Sequence, residues 1–264
     1  MADMGNYLAQ WPHGVIRTLL ELEGAGISKR QLNLAVKRNS IQSVGYGGYA
    51  RGEDRLSWQH GLYALQRSSS VTAPLYFLGG LAAFFLHLEG RLNVSSTPYV
   101  FFHVDEDKPF PPWFKGLAGL SIELTGSSAH FSCYCNRLPL HVPDTFTTLS
   151  TAEGLTYQIS SPERALLETQ LTRKNSSEIL NLISNIAPLR ERVLTRLLQS
   201  AFPASMHLQF LKKLAVRLAD NGRAELLESL SKFVPGEDPH RTWFPLLGRS
   251  TMNIQKGQPC GSVK

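Results

Sequence analysis

The residues that most constrain the fold lie in one stretch, Lys29–Gly52, which reads KRQLNLAVKRNSIQSVGYGGYARG. Its first part, from Lys29 to about Asn39, has the apolar spacing of an amphipathic helix with a basic face. The glycines of the segment 45–48 supply the backbone freedom for a tight turn between two short strands. The strands are indicated by four β-branched and aromatic residues: Ile41, Val44, Tyr46 and Tyr49.

The segments on either side of this stretch are helical. Val15–Glu23 has a helical apolar stripe that the glycines of 24–26 end. Ser28 then stands three residues before Gln31, the spacing of a capping box at a helix N-terminus. Trp58–Gln66 predicts a further short helix. The order helix, turn, helix, hairpin predicts a winged helix-turn-helix over residues 1–67.

The remaining residues predict a second and larger domain. We expect an α+β protein whose N-terminal winged helix-turn-helix, residues 1–67, is followed by a mixed α/β domain over 68–249 with a helical C-terminal part. Residues 250–264 contain few large apolar side chains and are predicted to be a flexible tail. The elements predicted in the second domain are helices over Leu75–Leu88, Pro162 onward, Ile179–Ile186, Leu189–Leu198, His207–Ala219 and Ala224–Phe233, strands over Tyr99–Val104, Ser121–Thr125, His130–Asn136 and Leu155–Ile159, and a loop over Asp105–Phe114.

A basic helix after a turn is where a helix-turn-helix protein contacts DNA. At steps of about 100°, Leu32, Ala35 and Val36 share the buried arc, and cations and amides occupy the opposite one, with Leu34 as an apolar exception. Lysine and arginine contact phosphates, and Asn or Gln pairs with adenine in the major groove. The predicted DNA-binding residues are Ser28, Lys29, Arg30, Gln31, Asn33, Lys37, Arg38, Tyr46 and Arg51, whereas Tyr49 is expected to pack in the core.

The charge of the chain permits a polyanionic partner without requiring one. The net charge is +6, and residues 1–67 carry eight Lys and Arg against five Asp and Glu. This excess predicts weak DNA affinity for a single copy. A second set of cations gives the C-terminal helices their own basic character, and it could form another DNA surface: Arg190, Arg192, Arg196, Lys212, Lys213 and Arg217. The apolar stripes of those helices are expected to be core, with a partner or dimer surface as the alternative.

The cysteine count and the termini predict a cytoplasmic protein. Cys133, Cys135 and Cys260 make an odd and low number, which is typical of a reducing compartment. The N-terminus has neither the basic nor the apolar region of a signal peptide. The most apolar segment, Ala73–Leu88, is too short to span a bilayer.

A zinc site is the first of two alternatives to DNA binding. His130, Cys133, Cys135 and His141 offer four possible ligands. Their spacing differs from the paired C-x2-C knuckles of structural zinc sites. In a strand the two cysteines share one face, so we expect half-buried apolar thiols and no metal.

An enzyme active site is the second alternative. His103, Asp105 and Asp107 fall at a strand end entering a proline-rich loop and are expected to face water. Glu163 suits the positive end of a helix, and Arg164 is expected to be in a salt bridge or on a solvated face. The chain contains no G-x-S-x-G, P-loop or H-E-x-x-H motif. We therefore predict no catalytic residue and no cofactor.

The segments GVIRTLLELEGAGISKRQLNLAVKRNSIQSVGYGGYARG and WQHGLYALQ resemble the N-terminal domain of AbiEi-type antitoxins, the transcriptional regulators of type IV toxin–antitoxin systems. Gly79–Ala83 resembles the helix that opens the second domain of that family, and Ser160–Glu168 is similar to its "StpERAllE" element. Tyr46 stands where the family commonly has a basic wing residue. The resemblance extends over about residues 8–220.

This resemblance implies a repressor that binds double-stranded DNA at its own promoter, at inverted repeats and through more than one copy. It also implies that the protein counteracts a nucleotidyltransferase-like toxin without forming a stable complex with it. Two alternatives remain open from the sequence. The chain is a protein-binding antitoxin that holds its toxin directly, or a plain winged-helix regulator with no toxin.

Overall fold

The structure is a computed structural model of the 264-residue chain. It describes residues 4–67, 73–89, 99–104, 107–124, 131–135, 138–169 and 189–201. Residues Met1–Thr172 form one compact unit and Arg173–Lys264 a second. The domain boundary predicted at residue 67 falls inside the first unit. The protein is a mixed α/β chain with two sheets.

The N-terminal part of the first unit contains a small antiparallel sheet of three strands in the order β1-β3-β2. Trp11, Leu22, Ile27, Leu32 and Ile41 form the apolar cluster beneath it. The elements in chain order are α1 (Met4–Ala9), β1 (Arg17–Thr18), α2 (Leu19–Gly24), α3 (Lys29–Lys37), β2 (Ile41–Gly45), β3 (Gly48–Arg51) and α4 (Trp58–Arg67). The predicted helices over Lys29–Asn39 and Trp58–Gln66 and the predicted hairpin are confirmed.

The helix predicted over Val15–Glu23 was wrong in its first four residues, because a capping box fixes the start of α2 at Leu19. The Thr18 backbone N–H donates to Glu21 Oε2 at 2.7 Å, and the Glu21 backbone N–H donates to Thr18 Oγ1 at 3.3 Å. Val15 and Ile16 are buried ahead of that cap. Val15 and Ile16 before the cap are apolar, like the leucines of α2 after it, so the apolar pattern alone does not show where the helix begins.

The turn between α2 and α3 is closed by backbone hydrogen bonds at the end of α2. Gly26 has φ +81°, and its N–H donates to the Glu23 carbonyl at 2.9 Å. The Ile27 N–H donates to the Leu22 carbonyl at 3.0 Å, and both side chains are buried. This pair of bonds is a Schellman motif, which needs a left-handed residue that glycine supplies without strain. The turn therefore sets the angle between the two helices.

The rest of the first unit is built on a mixed five-stranded sheet in the order β6-β5-β4-β8-β7. Strand β4 is antiparallel to β5 and parallel to β8, while β6 is parallel to β5 and β7 antiparallel to β8. The elements are β4 (Tyr76–Gly79), α5 (Gly80–Glu89), β5 (Tyr99–His103), α6 (Pro112–Leu124), β6 (Phe131–Cys135), β7 (Phe146–Ser150), β8 (Thr156–Ser160) and α7 (Pro162–Glu168).

Three predictions for this part were wrong in whole or in part. The helix predicted over Leu75–Leu88 begins only at Gly80, because Tyr76–Gly79 pairs with β5 as strand β4. The described part of the strand predicted over Ser121–Thr125, Ser121–Leu124, is the end of helix α6. That helix begins at Pro112, inside the predicted loop. Strand β7 was not predicted. The strands predicted over Tyr99–Val104 and Leu155–Ile159 and the helix from Pro162 are confirmed, and so is the described part, Phe131–Cys135, of the strand predicted over His130–Asn136.

Alternate side chains of the sheet point to opposite faces, and helices cover both. On one face Phe101 lies against Trp58 of α4 and Phe114 of α6, with ring centroids 5.7 and 5.1 Å apart. On the other face Phe77 and Phe102 are cross-strand partners that lie with α7. Helix α4 thus belongs to the helical layer that covers one face of the five-stranded sheet.

Polar side chains join α4 to the five-stranded sheet and to helix α2. Gln66 Nε2 donates to the carbonyls of Tyr76 and Gln158 at 2.7 and 2.8 Å, and the Gln158 N–H donates back to Gln66 Oε1 at 2.7 Å. Arg67 Nη2 donates to Glu21 Oε1 at 2.6 Å. These bonds make the N-terminal elements and the five-stranded sheet one body.

The described part of the second unit is helix α8 (Glu191–Ala201), which agrees with the helix predicted over Leu189–Leu198. It buries Val193, Leu194 and Leu197 and exposes Arg192. The other predicted helices of this unit and the tail 250–264 lie outside the described residues. None of the described helices combines the length and apolar character needed to cross a bilayer.

Candidate nucleic-acid interface

Five of the predicted DNA-binding residues form an exposed surface on α3, which we call the basic face of α3: Lys29, Arg30, Asn33, Lys37 and Arg38. Leu32 and Ala35 on the opposite side are buried at 2% and 4% exposure, as predicted. Leu34 interrupts the basic face at 44% exposure. The face therefore presents four cations and one amide to solvent from a single short helix.

The first turn of α3 is fixed by the predicted capping box. The Gln31 N–H donates to Ser28 Oγ at 3.3 Å, and Gln31 Oε1 accepts from the Ser28 N–H at 2.9 Å and from Ser28 Oγ at 2.8 Å. Ser28 is exposed and Gln31 half-buried. Because the Gln31 carbonyl oxygen is used by the cap, bidentate pairing with adenine requires the capping box to open.

Lys29 has one acidic neighbour. Its Nζ lies 3.8 Å from Glu23 Oε1 at the end of α2, and the Lys29 side chain is 73% exposed. An exposed pair at this distance contributes little, about 0–1 kcal/mol. Lys29 can therefore exchange Glu23 for a phosphate at small cost.

The hairpin between β2 and β3 presents Tyr46 at its turn. Gly45, Tyr46 and Gly47 have φ of +98°, +23° and +89° in succession. Tyr46 is 88% exposed, and it lies in the turn where the sequence predicted a strand. A tyrosine with positive φ is disfavoured by about 1 kcal/mol, and exposure of its ring adds no packing. Neither backbone preference nor packing therefore explains a tyrosine at this position.

Arg51 is engaged inside the protein. Its Nη1 donates to the Trp11 carbonyl at 3.1 Å and its Nη2 to Glu53 Oε1 at 2.8 Å, and the side chain is 25% exposed. These bonds fasten the end of β3 to the segment after α1. Tyr49, by contrast, packs against the N-terminal core as predicted. Arg51 is thus the least available of the predicted contacts.

Two neighbours of the hairpin were missed by the sequence analysis. Leu20 is 79% exposed at the start of α2, where the adjacent Leu19 N–H donates to the Gly47 carbonyl at 2.8 Å. Trp113 of α6 lies behind Gly48 on the other side. Leu20 can be found from the Thr18 capping box, which places it in the first helical turn. No local pattern predicts Trp113, because it is distant in sequence.

A second cluster of charge lies under the five-stranded sheet, and we call it the buried arginine network: Gly80, Ser160, Arg164 and Glu168. Arg164 Nε donates to Glu168 Oε1 at 2.8 Å, and neither side chain is exposed. Glu168 Oε2 accepts from Ser160 Oγ at 2.7 Å and from the Gly80 N–H at 3.2 Å. The remaining Arg164 nitrogens donate to the carbonyls of Pro139 and Leu138 at 2.9 and 3.2 Å.

This network joins the two segments that resemble the family beyond the N-terminal domain, Gly79–Ala83 and Ser160–Glu168. Burial raises the pKa of the Glu168 carboxyl, and the Arg164 guanidinium with the donated hydrogen bonds opposes that rise. Glu168 also occupies the space beside Gly79, so any larger residue there meets its carboxylate. The predicted salt bridge of Arg164 is confirmed and its alternative, a solvated face, is wrong, because no donor of the guanidinium faces water. Glu163 is buried as well.

The possible zinc ligands and the residues His103, Asp105 and Asp107 were expected to form no site, and the structure describes some of them. Among the side chains that it describes, no group of three or more His, Cys, Asp or Glu residues has the geometry to hold a metal ion. Cys133 is half-buried in β6, as predicted, and burial raises the pKa of its thiol to about 11, against the opposing charge of Lys115. His130 and Asp105 lie outside the described residues.

Two family models match the chain. Residues 2–91 match the transcriptional regulator, AbiEi antitoxin N-terminal domain. Residues 97–232, more than half of the chain, match the transcriptional regulator, AbiEi antitoxin, of type IV toxin–antitoxin systems. A search of the curated proteins gives no significant match.

Proposed function

This chain belongs to the AbiEi antitoxin family of type IV toxin–antitoxin systems, and we propose that it binds duplex DNA through α3 and the β2–β3 hairpin. The family is one of transcriptional regulators. The proposal assigns the regulatory contact to particular residues: the basic face of α3 and the hairpin turn at Tyr46.

In this proposal the N-terminal elements are a winged helix-turn-helix. Helices α2 and α3 are the helix-turn-helix, joined by the Schellman turn at Gly26. Strands β2 and β3 are the wing, and β1 completes its sheet. A recognition helix lies in the major groove with its N-terminal residues against the bases. Lys29, Arg30 and Asn33 occupy that end of α3.

The observation that carries the proposal is the exposure of the basic face of α3. Four cations are held on α3 and its C-cap, and among the described residues the acidic group paired with them is the exposed Glu23, at 3.8 Å from Lys29. Each neutralised phosphate releases counterions, so such a face binds DNA with an affinity that falls as salt rises. Lys37 and Arg38 contact phosphate at the other end of the helix, and Asn33 contacts a base edge.

The biological role that follows is repression of its own operon. The N-terminal elements carry a small net charge of +3, so we propose that more than one copy binds inverted repeats at the promoter. The second domain counteracts a nucleotidyltransferase-like toxin, functionally and without a stable complex. The fold of that domain holds the buried arginine network, whose role in this proposal is structural.

Substitution of Lys29 and Arg30 tests the DNA assignment. The probe is duplex DNA from the region immediately upstream of the chain's own reading frame, titrated by gel shift or anisotropy at several salt concentrations. We expect Lys29→Ala/Arg30→Ala to weaken binding by about 10- to 100-fold and to lower the salt slope by about two. The melting temperature should stay unchanged, because both side chains are exposed.

The matched control removes two exposed cations elsewhere. Lys108 lies shortly before α6 and Lys115 lies within it, and both are exposed. Lys108→Ala/Lys115→Ala changes the net charge by the same amount as Lys29→Ala/Arg30→Ala. It should leave most of the affinity intact. Equal losses in the two double variants would show that binding follows net charge alone and would refute the assignment to α3. A stable complex with the neighbouring toxin, together with no DNA binding, would favour direct sequestration.

A further inference from the structure

The hairpin that the proposed function assigns to DNA contacts Trp113 of α6, a residue of the same compact unit that lies in the region predicted as the second domain, 68–249. Trp113 is the second residue of α6, is 4% exposed, and α6 packs against β2. A Cβ atom added to Gly48 would lie 3.0 Å from both Cβ and Cγ of Trp113 and 2.7 Å from Val44 Cγ2. The tryptophan therefore meets the hairpin backbone directly at the start of β3.

A side chain at position 48 is opposed by the close approach of Val44 and Trp113, and not by the backbone conformation of Gly48. Its neighbours Gly45 and Gly47 have positive φ, whereas Gly48 lies in the paired strand opposite Gly45 and Thr18. Contacts of 3.0 Å or less leave no room for a side chain. The absence of a side chain at Gly48 thus serves the approach of Trp113 to the hairpin.

Helix α6 is itself held firmly in the first unit. The ring of Phe114 lies 5.1 Å from Phe101 and 4.8 Å from Phe110, measured between centroids. Gly61 of α4 faces Phe114 and Leu117, with 2.9 Å between a Cβ placed there and the Phe114 ring. Trp113 therefore extends from a helix anchored on both α4 and the five-stranded sheet.

The hairpin turn is supported from two sides. On one side the Leu19 N–H at the start of α2 donates to the Gly47 carbonyl at 2.8 Å. On the other side Trp113 backs Gly48, and its Cα is 3.9 Å from a Cβ placed on Gly45. The turn that exposes Tyr46 is thereby placed between the first helix of the helix-turn-helix and the second domain.

We propose that Trp113 is a positioning residue for DNA binding: it holds the β2–β3 hairpin at the angle at which its turn meets the duplex. The inference rests on the proposed function. It goes beyond that function because it makes the second domain part of the DNA-binding device. A change in the position of α6 then changes the affinity for the promoter without any change in α3.

The test compares full-length Trp113→Ala, Trp113→Phe and Phe77→Leu. Trp113→Ala should weaken binding to the upstream duplex by about tenfold, since it frees the wing while leaving the basic face of α3 unchanged. Hydrogen exchange of the amides of 45–49 should become faster, and exchange within α3 should not. Trp113→Phe keeps the Cβ and Cγ atoms that face Gly48 and should restore both measurements.

The control separates positioning from stability. Phe77→Leu opens the core on the face of the five-stranded sheet that lies with α7, away from α6 and the hairpin, so it should lower the melting temperature without changing the affinity of the folded protein. Gly48→Ala disturbs the contact from the wing side and should reproduce the Trp113→Ala phenotype.

The outcomes are distinguishable. Unchanged exchange at 45–49 in Trp113→Ala overturns the contact as a support of the hairpin, whether or not the wild-type chain binds DNA. Faster exchange with unchanged affinity overturns the positioning role and leaves the proposed function intact. Failure of the wild-type chain to bind the duplex refutes the proposed function and the positioning role with it.

Discussion

Arginine occurs in opposite environments in two regions of the molecule, exposed on the basic face of α3 and buried in the buried arginine network. Arg30 is exposed on a short helix. Arg164 is fully buried, donates to Glu168, Leu138 and Pro139, and lies 4.6 Å above the Phe146 ring. A buried guanidinium is stable only when its donors are satisfied.

This difference teaches how to separate structural from functional cations in such a chain. An arginine whose donors are all used inside the protein has none left for a ligand. All three guanidinium nitrogens of Arg164 donate inside the protein, whereas two of those of Arg51 do. Substitution should then cost stability at one site and binding at the other.

The largest expected effect is the loss of Arg164. Arg164→Ala leaves the Glu168 carboxylate buried without its guanidinium, which should lower the free energy of unfolding by about 3–5 kcal/mol. Chemical denaturation measures it. Arg30→Ala is the matched control and should change the free energy of unfolding by less than about 0.5 kcal/mol.

Equal losses of unfolding free energy in Arg164→Ala and Arg30→Ala would refute this distinction between buried and exposed arginines. It is sharpened by the double variant Arg164→Leu/Glu168→Leu, which removes both charges together. Because replacement of a whole buried ion pair by apolar side chains is often nearly neutral, the double variant should be more stable than Arg164→Ala. A double variant as unstable as the single one would show that the network stabilises through more than charge pairing.

Local chemistry was enough to predict the helix starts on which both regions depend. The cap at Ser28 was expected from residue type and spacing, and Ser28 and Ser161 each accept a hydrogen bond from the backbone N–H three residues on. The same rule applied to Thr18 and Glu21 would have corrected the start of α2. The basic face of α3 was predicted from the cap at Ser28 and from helical periodicity.

What the sequence did not predict depends on contacts between distant residues. Tyr76–Gly79 was expected to be helical but pairs as β4 between β5 and β8, and Ser121–Leu124 was expected to be a strand but continues α6. Gly48 looks like a turn glycine, but a side chain there is opposed by Val44 of the hairpin and by the distant Trp113. Glu168 was not identified as the partner of Arg164, although its i, i+4 spacing indicates one.

A smaller effect is expected at Tyr46, where stability and binding should move in opposite directions. The turn Tyr46–Gly47 has positive φ at both residues, a geometry that favours Asn-Gly. Tyr46→Asn should therefore raise the free energy of unfolding by about 0.5–1 kcal/mol. It should also weaken DNA binding several-fold if the exposed ring contacts the duplex.

Tyr46→Phe is the control for that variant, because it keeps the ring and the backbone strain and removes only the hydroxyl. Retained affinity in Tyr46→Phe assigns the contact to the ring, and lost affinity assigns it to hydroxyl donation. A Tyr46→Asn variant that is more stable and binds as well as the wild type would remove Tyr46 from the interface.

The smallest effect is expected at Glu153, an acidic residue between the two extremes of the comparison. Its side chain is 36% exposed, and its Oε2 lies 3.0 Å from Nε2 of the buried His60. Hydrogen bonds from the Thr151 side chain and from its own backbone, with His60, hold the pKa of Glu153 below its usual value. Because the folded pKa is the lower one, the stability that Glu153 contributes is present at neutral pH and lost as the pH falls through that pKa.

Glu153→Gln should therefore lower the free energy of unfolding at pH 7 by only about 0.2–1 kcal/mol, since solvent screens a pair at this exposure. The difference from wild type should shrink as the pH falls below the ordinary glutamate pKa of about 4.3. Both proteins carry His60, so their difference in denaturation across pH isolates the carboxylate. A loss at pH 7 as large as that of Arg164→Ala would show that partial exposure does not weaken a charge pair here, and the contrast between buried and exposed charge would fail.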